Sequence, residues 1–116
     1  MPKSYYIAGP MRGYPEFNFP AFGHAADYYR ARGHYVFNPA ERDIKKGFDP
    51  SGLKGTMAEL ELLKFDLRDA LAADCEFICR EATHIHMLEG WANSKGATAE
   101  RALALALGLT VEGAPA

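Results

Sequence analysis

The sequence predicts an α/β domain, a three-layer sandwich built on a small parallel sheet. Three observations lead there. Short aromatic and β-branched runs alternate with helical stretches, the order that parallel strands and right-handed crossovers produce. Each run stops at turn residues such as Gly9-Pro10, Asn38-Pro39 and Glu89-Gly90,. The 116 residues hold no internal repeat and make one domain, spanning 1–116,.

The first run, Ser4-Tyr5-Tyr6-Ile7-Ala8, reads as a buried strand,. Gly9 to Pro20 carries three prolines and two glycines and is expected to be loop,. Ala21 to Arg32 reads as an amphipathic helix, with Phe22, Ala25, Ala26 and Tyr29 on one stripe, closed by Gly33,. Tyr35-Val36-Phe37 is a second strand,. Ala40 to Gly55, with its glycines, proline and charges, is expected to be a long mobile loop of the kind that serves as a lid,. Thr56 can cap a helix from Met57 to about Ala73, with a further helical stretch to about Ala82,. Thr83 to Leu88 is the third strand. Ser94 can cap a helix from Ala97 to Leu107, before a short strand Leu109-Thr110-Val111 and a frayed tail from Glu112 to Ala116,.

Composition narrows the partners. With 48% hydrophobic and 24% charged residues the chain is ordinary globular protein,. Its 13 Lys+Arg against 15 Asp+Glu leave a formal net charge of −2, which argues against nucleic acid polymers and anionic membranes. No apolar run approaches the roughly 18 residues of a membrane span, and the opening lacks a secretion signal's apolar core. The cytoplasm is the expected compartment. The two cysteines, Cys75 and Cys79, stand one helical turn apart. A disulfide there would be strained and a structural zinc site lacks ligands, so both read as reduced packing residues.

In open parallel sheets ligands bind beyond the carboxyl ends of the strands. Those ends bring Gly9-Pro10-Met11-Arg12-Gly13, then Asn38, then Gly90 to Gly96 to one edge. Gly9 lets backbone approach a ligand and Arg12 can fork onto a phosphate. Ser94, Lys95 and Gly96 open a helix, where free N–H groups attract anions. Each segment alone is an ordinary turn or cap; together they suggest a small phosphorylated ligand. Two acids lie on apolar helical stripes: Glu100 with Leu103, Ala104 and Leu107, and Asp74 with Leu71 and Ile78,. An acid so placed is costly to bury unless it is paired or used. Glycosyl chemistry uses such a pair, one carboxyl ionised and one protonated. His84 and His86 share one side of a strand but lack a third metal ligand, so no metal is expected. Trp91 either stacks on a base or covers the sheet edge.

The stretches Tyr6 to Gly13, Asp74-Cys75-Glu76-Phe77-Ile78 and Ser94 to Glu100 resemble the nucleoside 2-deoxyribosyltransferase superfamily. Within it they are similar to the 2'-deoxynucleoside 5'-phosphate N-hydrolase pattern. They are closer still to a small phage and bacterial family with a Gly-Pro-Met opening and a Gly-Trp-x-x-Ser-x-Gly-Ala-x-x-Glu motif. The resemblance runs from Ser4 to about Val111. It implies a flavodoxin-like, Rossmann-like sheet and a homodimer or larger assembly whose sites are completed across the interface. It implies Glu100 as nucleophile, Asp74 as the acid that assists departure of the base, and Tyr6 as the side chain that orients the nucleophile. Asp66 and Asp69 remain alternatives to Asp74. Arg12 and Ser94 match phosphate-contacting positions, with Ser in place of the Asp that binds a free 5'-hydroxyl, and Pro10 stands where the hydrolase pattern has a serine. No cofactor is implied.

The expected reaction is hydrolysis of the N-glycosidic bond of a (deoxy)nucleoside 5'-monophosphate through a glycosyl-Glu100 ester. Base exchange by a transferase and a non-catalytic nucleotide sensor are the competing readings. After Arg101 the last helix is apolar almost all round. Its outer face should therefore pack on a second copy of the chain or under the segment from Ala40 to Gly55.

Overall fold

Four parallel strands form one sheet in the order β2-β1-β3-β4 in the computed structural model, which describes all 116 residues. β1 is Ser4–Ala8, β2 Tyr35–Phe37, β3 His84–Met87 and β4 Thr110–Gly113. Five helices connect or cover them: α1 Phe19–Arg30, α2 Pro39–Lys45, α3 Met57–Leu62, α4 Leu67–Arg80 and α5 Lys95–Ala106. This is the expected three-layer α/β sandwich with a small parallel sheet. No helix is long and apolar enough to cross a membrane.

The strand period of two divides β1 between the layers. Tyr5 and Ile7 pack with Phe22 and Tyr29 of α1 on one face. Tyr6 and Ala8 pack with Ile78 of α4 and with Ala97 and Ala104 of α5 on the other. The chain leaves β1 for β2 on the α1 side and reaches β3 and β4 through α4 and α5 on the opposite side. The order therefore reverses between β1 and β3, and the crevice beyond their carboxyl ends is where such a sheet takes ligands.

Several expected boundaries move. Gly9 to Pro20 is not all loop: a 3-10 turn spans Pro15–Asn18 and α1 begins at Phe19. Glu16, Phe17 and Asn18 all lie in left-handed backbone, with φ of 53°, 53° and 64°. Three such non-glycine residues in succession store strain that the surrounding packing must hold, and Phe17 is buried at their centre. Ala40 to Gly55 is not a long lid either. Asn38 accepts a hydrogen bond from Ala40 N at 2.9 Å and caps α2, with Pro39 at the first helical position,. The remainder is tied to the first loop by Gly13 N donating to Gly55 O and Glu16 N to Leu53 O, both at 2.8 Å.

The expected helix from Met57 to Ala73 is two helices. Thr56 and Glu59 form a reciprocal capping box at the start of α3,. Lys64, at a φ of 56°, interrupts the helix, and Asp66 then caps α4 by accepting from Asp69 N. The tail is not frayed at Glu112: the strand runs to Gly113, with Glu112 opposite His86 and Gly113 opposite Met87. The outer face of α5 is open, with Ala99, Ala102, Leu105 and Ala106 exposed. The segment after α2 gives it no cover, because Phe48 packs on Phe17, Phe19 and Phe65 instead.

Candidate active site

The crevice between the ends of β1 and β3 holds a cavity of about 130 Å³. Gly9, Met11 and Arg12 line it from the end of β1, and Ser94, Gly96 and Ala97 from the start of α5. Gly9 is there for a packing reason as well: a Cβ would stand 2.6 Å from Leu88 Cβ, where β1 and β3 end side by side. Ser94 accepts from Ala97 N at 3.1 Å and caps α5 as expected,. The other N–H groups of that first turn have no partner four residues back, as at any helix start.

Tyr6 rises from the centre of the sheet on the α4–α5 side, and its hydroxyl donates to Glu100 Oε2 at 2.8 Å. Glu100 is 6% exposed, on a buried stripe with Ala97 and Ala104; Leu107, expected on that stripe, is exposed. Asp74 is 9% exposed, between Ala70 and Ile78 on the inward stripe of α4, while Leu71 is exposed at the rim of the cavity. Packing of α4 on α5 brings the two acids and Tyr6 into one cavity wall. Asp74 Oδ1 is buried there with no hydrogen-bond partner, a costly arrangement in a folded protein unless something else satisfies it. Asp66 and Asp69 do not line the cavity: Asp66 is the α4 cap and Asp69 pairs with Arg42.

Burial dominates the acid–base character. It pushes Glu100 up to about 8, with the Asp74 charge adding to the rise and the Tyr6 hydrogen bond opposing it. It pushes Asp74 up to about 6, against the pull of the nearby Tyr6 hydroxyl and of Arg42. Tyr6 itself is raised well above its ordinary value by burial and by the two carboxylates, so its hydroxyl stays a donor. Both carboxyls are thus raised by the same burial, and each feels the other. Two acids this close titrate as a unit, so a ligand that favours one charge can move the proton.

Four expected ligand contacts are not part of the lining. Pro10 is buried, and its carbonyl accepts from Asn18 Nδ2 at 2.9 Å. Gly13 is an exposed turn residue whose φ of 87° explains the glycine. Asn38 is the α2 cap. Trp91 is buried in the core and donates from Nε1 to Ala114 O at 2.9 Å, beneath the Arg101 guanidinium; it covers the end of the sheet and offers no stacking face to the crevice. His84 and His86 lie on the far side of the sheet. His86 Nδ1 is 2.6 Å from the Tyr29 hydroxyl, and no group of three His, Cys, Asp or Glu side chains is arranged to hold a metal ion.

One lining residue was not foreseen. Asp43 of α2 is 5% exposed and borders the same cavity. Burial and the nearby Asp74 charge push it up to about 7, against the pull of Arg42. The available signal was Asn38-Pro39, a cap followed by proline at the first helical position, which announces a helix where a loop was expected.

Residues 3–112 match the family model described as a domain of unknown function, DUF4406. No curated protein and no solved structure matches the chain.

Proposed function

We propose that this chain, which belongs to the DUF4406 family, hydrolyses the N-glycosidic bond of a (deoxy)nucleoside 5'-monophosphate through a covalent ester on Glu100. The observation that carries the reading is the buried pair of acids: Glu100 held by the Tyr6 hydroxyl, beside an Asp74 oxygen with no partner, at the switch point of the sheet. Two carboxyls of unequal proton affinity at one reacting carbon are what glycosyl transfer needs. The likeness of Tyr6, Asp74, Ser94 and Glu100 to the nucleoside 2-deoxyribosyltransferase pattern supports the same assignment.

The proton shared by the pair moves to Asp74 when substrate binds. A Glu100 oxygen then bonds to C1', the C1'–N bond breaks with its electrons going to the base, and Asp74 delivers its proton to the departing base. In the second half Asp74, now ionised, takes a proton from water. The water oxygen bonds to C1' and Glu100 leaves as carboxylate, so the sugar 5-phosphate is released and both acids return to their starting states. Tyr6 holds the nucleophilic carboxyl in place and stabilises its charge before it attacks and as it leaves. No metal or organic cofactor enters the scheme.

The direct test is incubation with a panel of nucleoside 5'-monophosphates, with free base as the readout. Base release supports the reading; base release only when a second base is supplied would identify a transferase, and tight binding without release a sensor. Arg12 and the start of α5 are assigned to the phosphate. Arg12→Ala should therefore weaken kcat/KM for monophosphates tenfold or more, as expected for a lost charge-assisted contact of about 1.5–3 kcal/mol. Unphosphorylated nucleosides should change little. Equal losses for both substrates would remove Arg12 from the phosphate site.

The assembly that fits is a homodimer in the cytoplasm, covering the open apolar face of α5 with a second copy. Exposed Leu105 on that face and exposed Leu67 and Leu71 at the α4 rim of the cavity support it. Light scattering at micromolar concentration should give twice the 12.8 kDa chain mass. An active monomer would sink the idea of a shared site.

A further inference from the structure

We infer that Asp43 is the side chain that holds the base, through a pair of hydrogen bonds to an edge that presents a donor beside an acceptor. The inference rests on the reading of the site as a nucleotide N-glycosidase and assigns a group that the two-step chemistry leaves idle.

Asp43 borders the same cavity as Glu100 and Asp74. Its cationic neighbour, Arg42, forms a loose ion pair with it, with Nη1 3.6 Å from Oδ1 and beyond hydrogen-bond reach, and the other end of that guanidinium is engaged by Asp69. A buried carboxyl whose oxygens are not taken up by the protein has capacity for a ligand. The second sign of a ligand is Asp74 Oδ1, which shares the cavity wall, is nine-tenths buried and has no partner.

The walls around Asp43 differ from those around Ser94. Phe48, whose N–H donates to Asp43 O at 3.0 Å, follows α2 directly. Its ring meets Phe17 at 5.6 Å, Phe19 at 5.7 Å and Phe65 at 5.2 Å between centroids. All four rings line the cavity. The cavity thus has an aromatic section served by α2 and a polar section served by Arg12 and the start of α5. Asp43, Asp74 and Glu100 all line this cavity. With the phosphate at the polar section and C1' at Glu100, the flat base falls among the rings, where Asp43 is the polar group that can meet its edge. A carboxyl that holds its proton there donates from one oxygen and accepts at the other, which matches the paired functions of a nucleobase edge.

The test uses Glu100→Gln, so that bound nucleotide is not consumed, and compares it with the Glu100→Gln/Asp43→Ala and Glu100→Gln/Asp43→Asn double variants. Calorimetry measures binding of nucleoside 5'-monophosphates and of 2-deoxyribose 5-phosphate, which has no base. Expected is a loss of about tenfold or more for nucleotides with Asp43→Ala. Asn, which keeps a donor beside an acceptor, should restore part of it, and binding of the sugar phosphate should not change. Equal losses for nucleotide and sugar phosphate, or none for either, would overturn the role of Asp43 while leaving the base-release reading intact. Failure of Glu100→Gln itself to bind any nucleotide would overturn both. Should the Ala variant not fold, the Asn variant against a Leu variant of similar volume gives the same comparison.

Discussion

Glu100→Gln should lower base release by at least about a thousandfold while leaving a folded and, above neutral pH, more stable protein. The first half follows from the bond it removes. Without a carboxylate to bond to C1' the two-step route closes, and only slow direct attack by water remains. The second half follows from the proton. The folded state raises Glu100 from 4.5 to about 8, so it holds a proton that the unfolded chain would release. Its contribution to stability is therefore intact below about pH 4.5 and is lost as pH rises through about 8,. Gln keeps the size and a hydrogen-bonding group but cannot ionise. The difference in Tm between variant and native protein should accordingly grow from pH 5 to pH 9 and then level off, by several degrees for a domain of this size. Near-native turnover would remove the covalent role. A stability difference independent of pH would mean that Glu100 is not held protonated by its burial.

The same chain shows what can be read from one dimension and what cannot. β1, β2 and β3 were legible because each is a short aromatic or β-branched run stopped by turn residues, and a buried parallel sheet leaves that mark. Glu100 and Asp74 stood out because an acid on an apolar helical stripe is expensive. Ser94 as a helix cap was equally plain. The misses have one cause: tertiary contacts outweighed local signals. Glu112 looked like the start of a tail, but opposite His86 it finds a ladder partner and the hydroxyls of Tyr5 and Tyr29. Trp91 could have stacked on a base or covered the sheet edge, and the close of the sheet over Ala114 decides for the second. The segment from Ala40 to Gly55 looked mobile through its glycines and charges, but Asn38 and Pro39 start a helix there and bring Asp43 inward. That Glu100 and Asp74 are both raised, and coupled, could not be read from spacing at all. It depends on how deeply each is buried and on Tyr6 and Arg42 reaching them from other elements.

That coupling makes the second large effect informative, because removing one acid separates its role from that of the other. Asp74→Asn should reduce kcat for ordinary nucleotides by about a hundredfold to ten-thousandfold, the usual range for loss of a positioned general acid. The loss should depend on the base. A departing group that is already stable as an anion, such as a nitrophenyl leaving group at C1', gains little from a proton, so its release in the first step should fall by no more than a few fold. KM should move little, since the orphaned Asp74 Oδ1 is assigned to the base only as it leaves. Removing the neighbouring charge also withdraws one cause of the rise in Glu100, so the variant's nucleophile should ionise at lower pH than the native one. With the activated substrate the acidic limb of the pH–rate profile should then move down. Equal losses for activated and ordinary leaving groups, with an unmoved acidic limb, would mean that Asp74 supports the fold of the site without donating a proton in it.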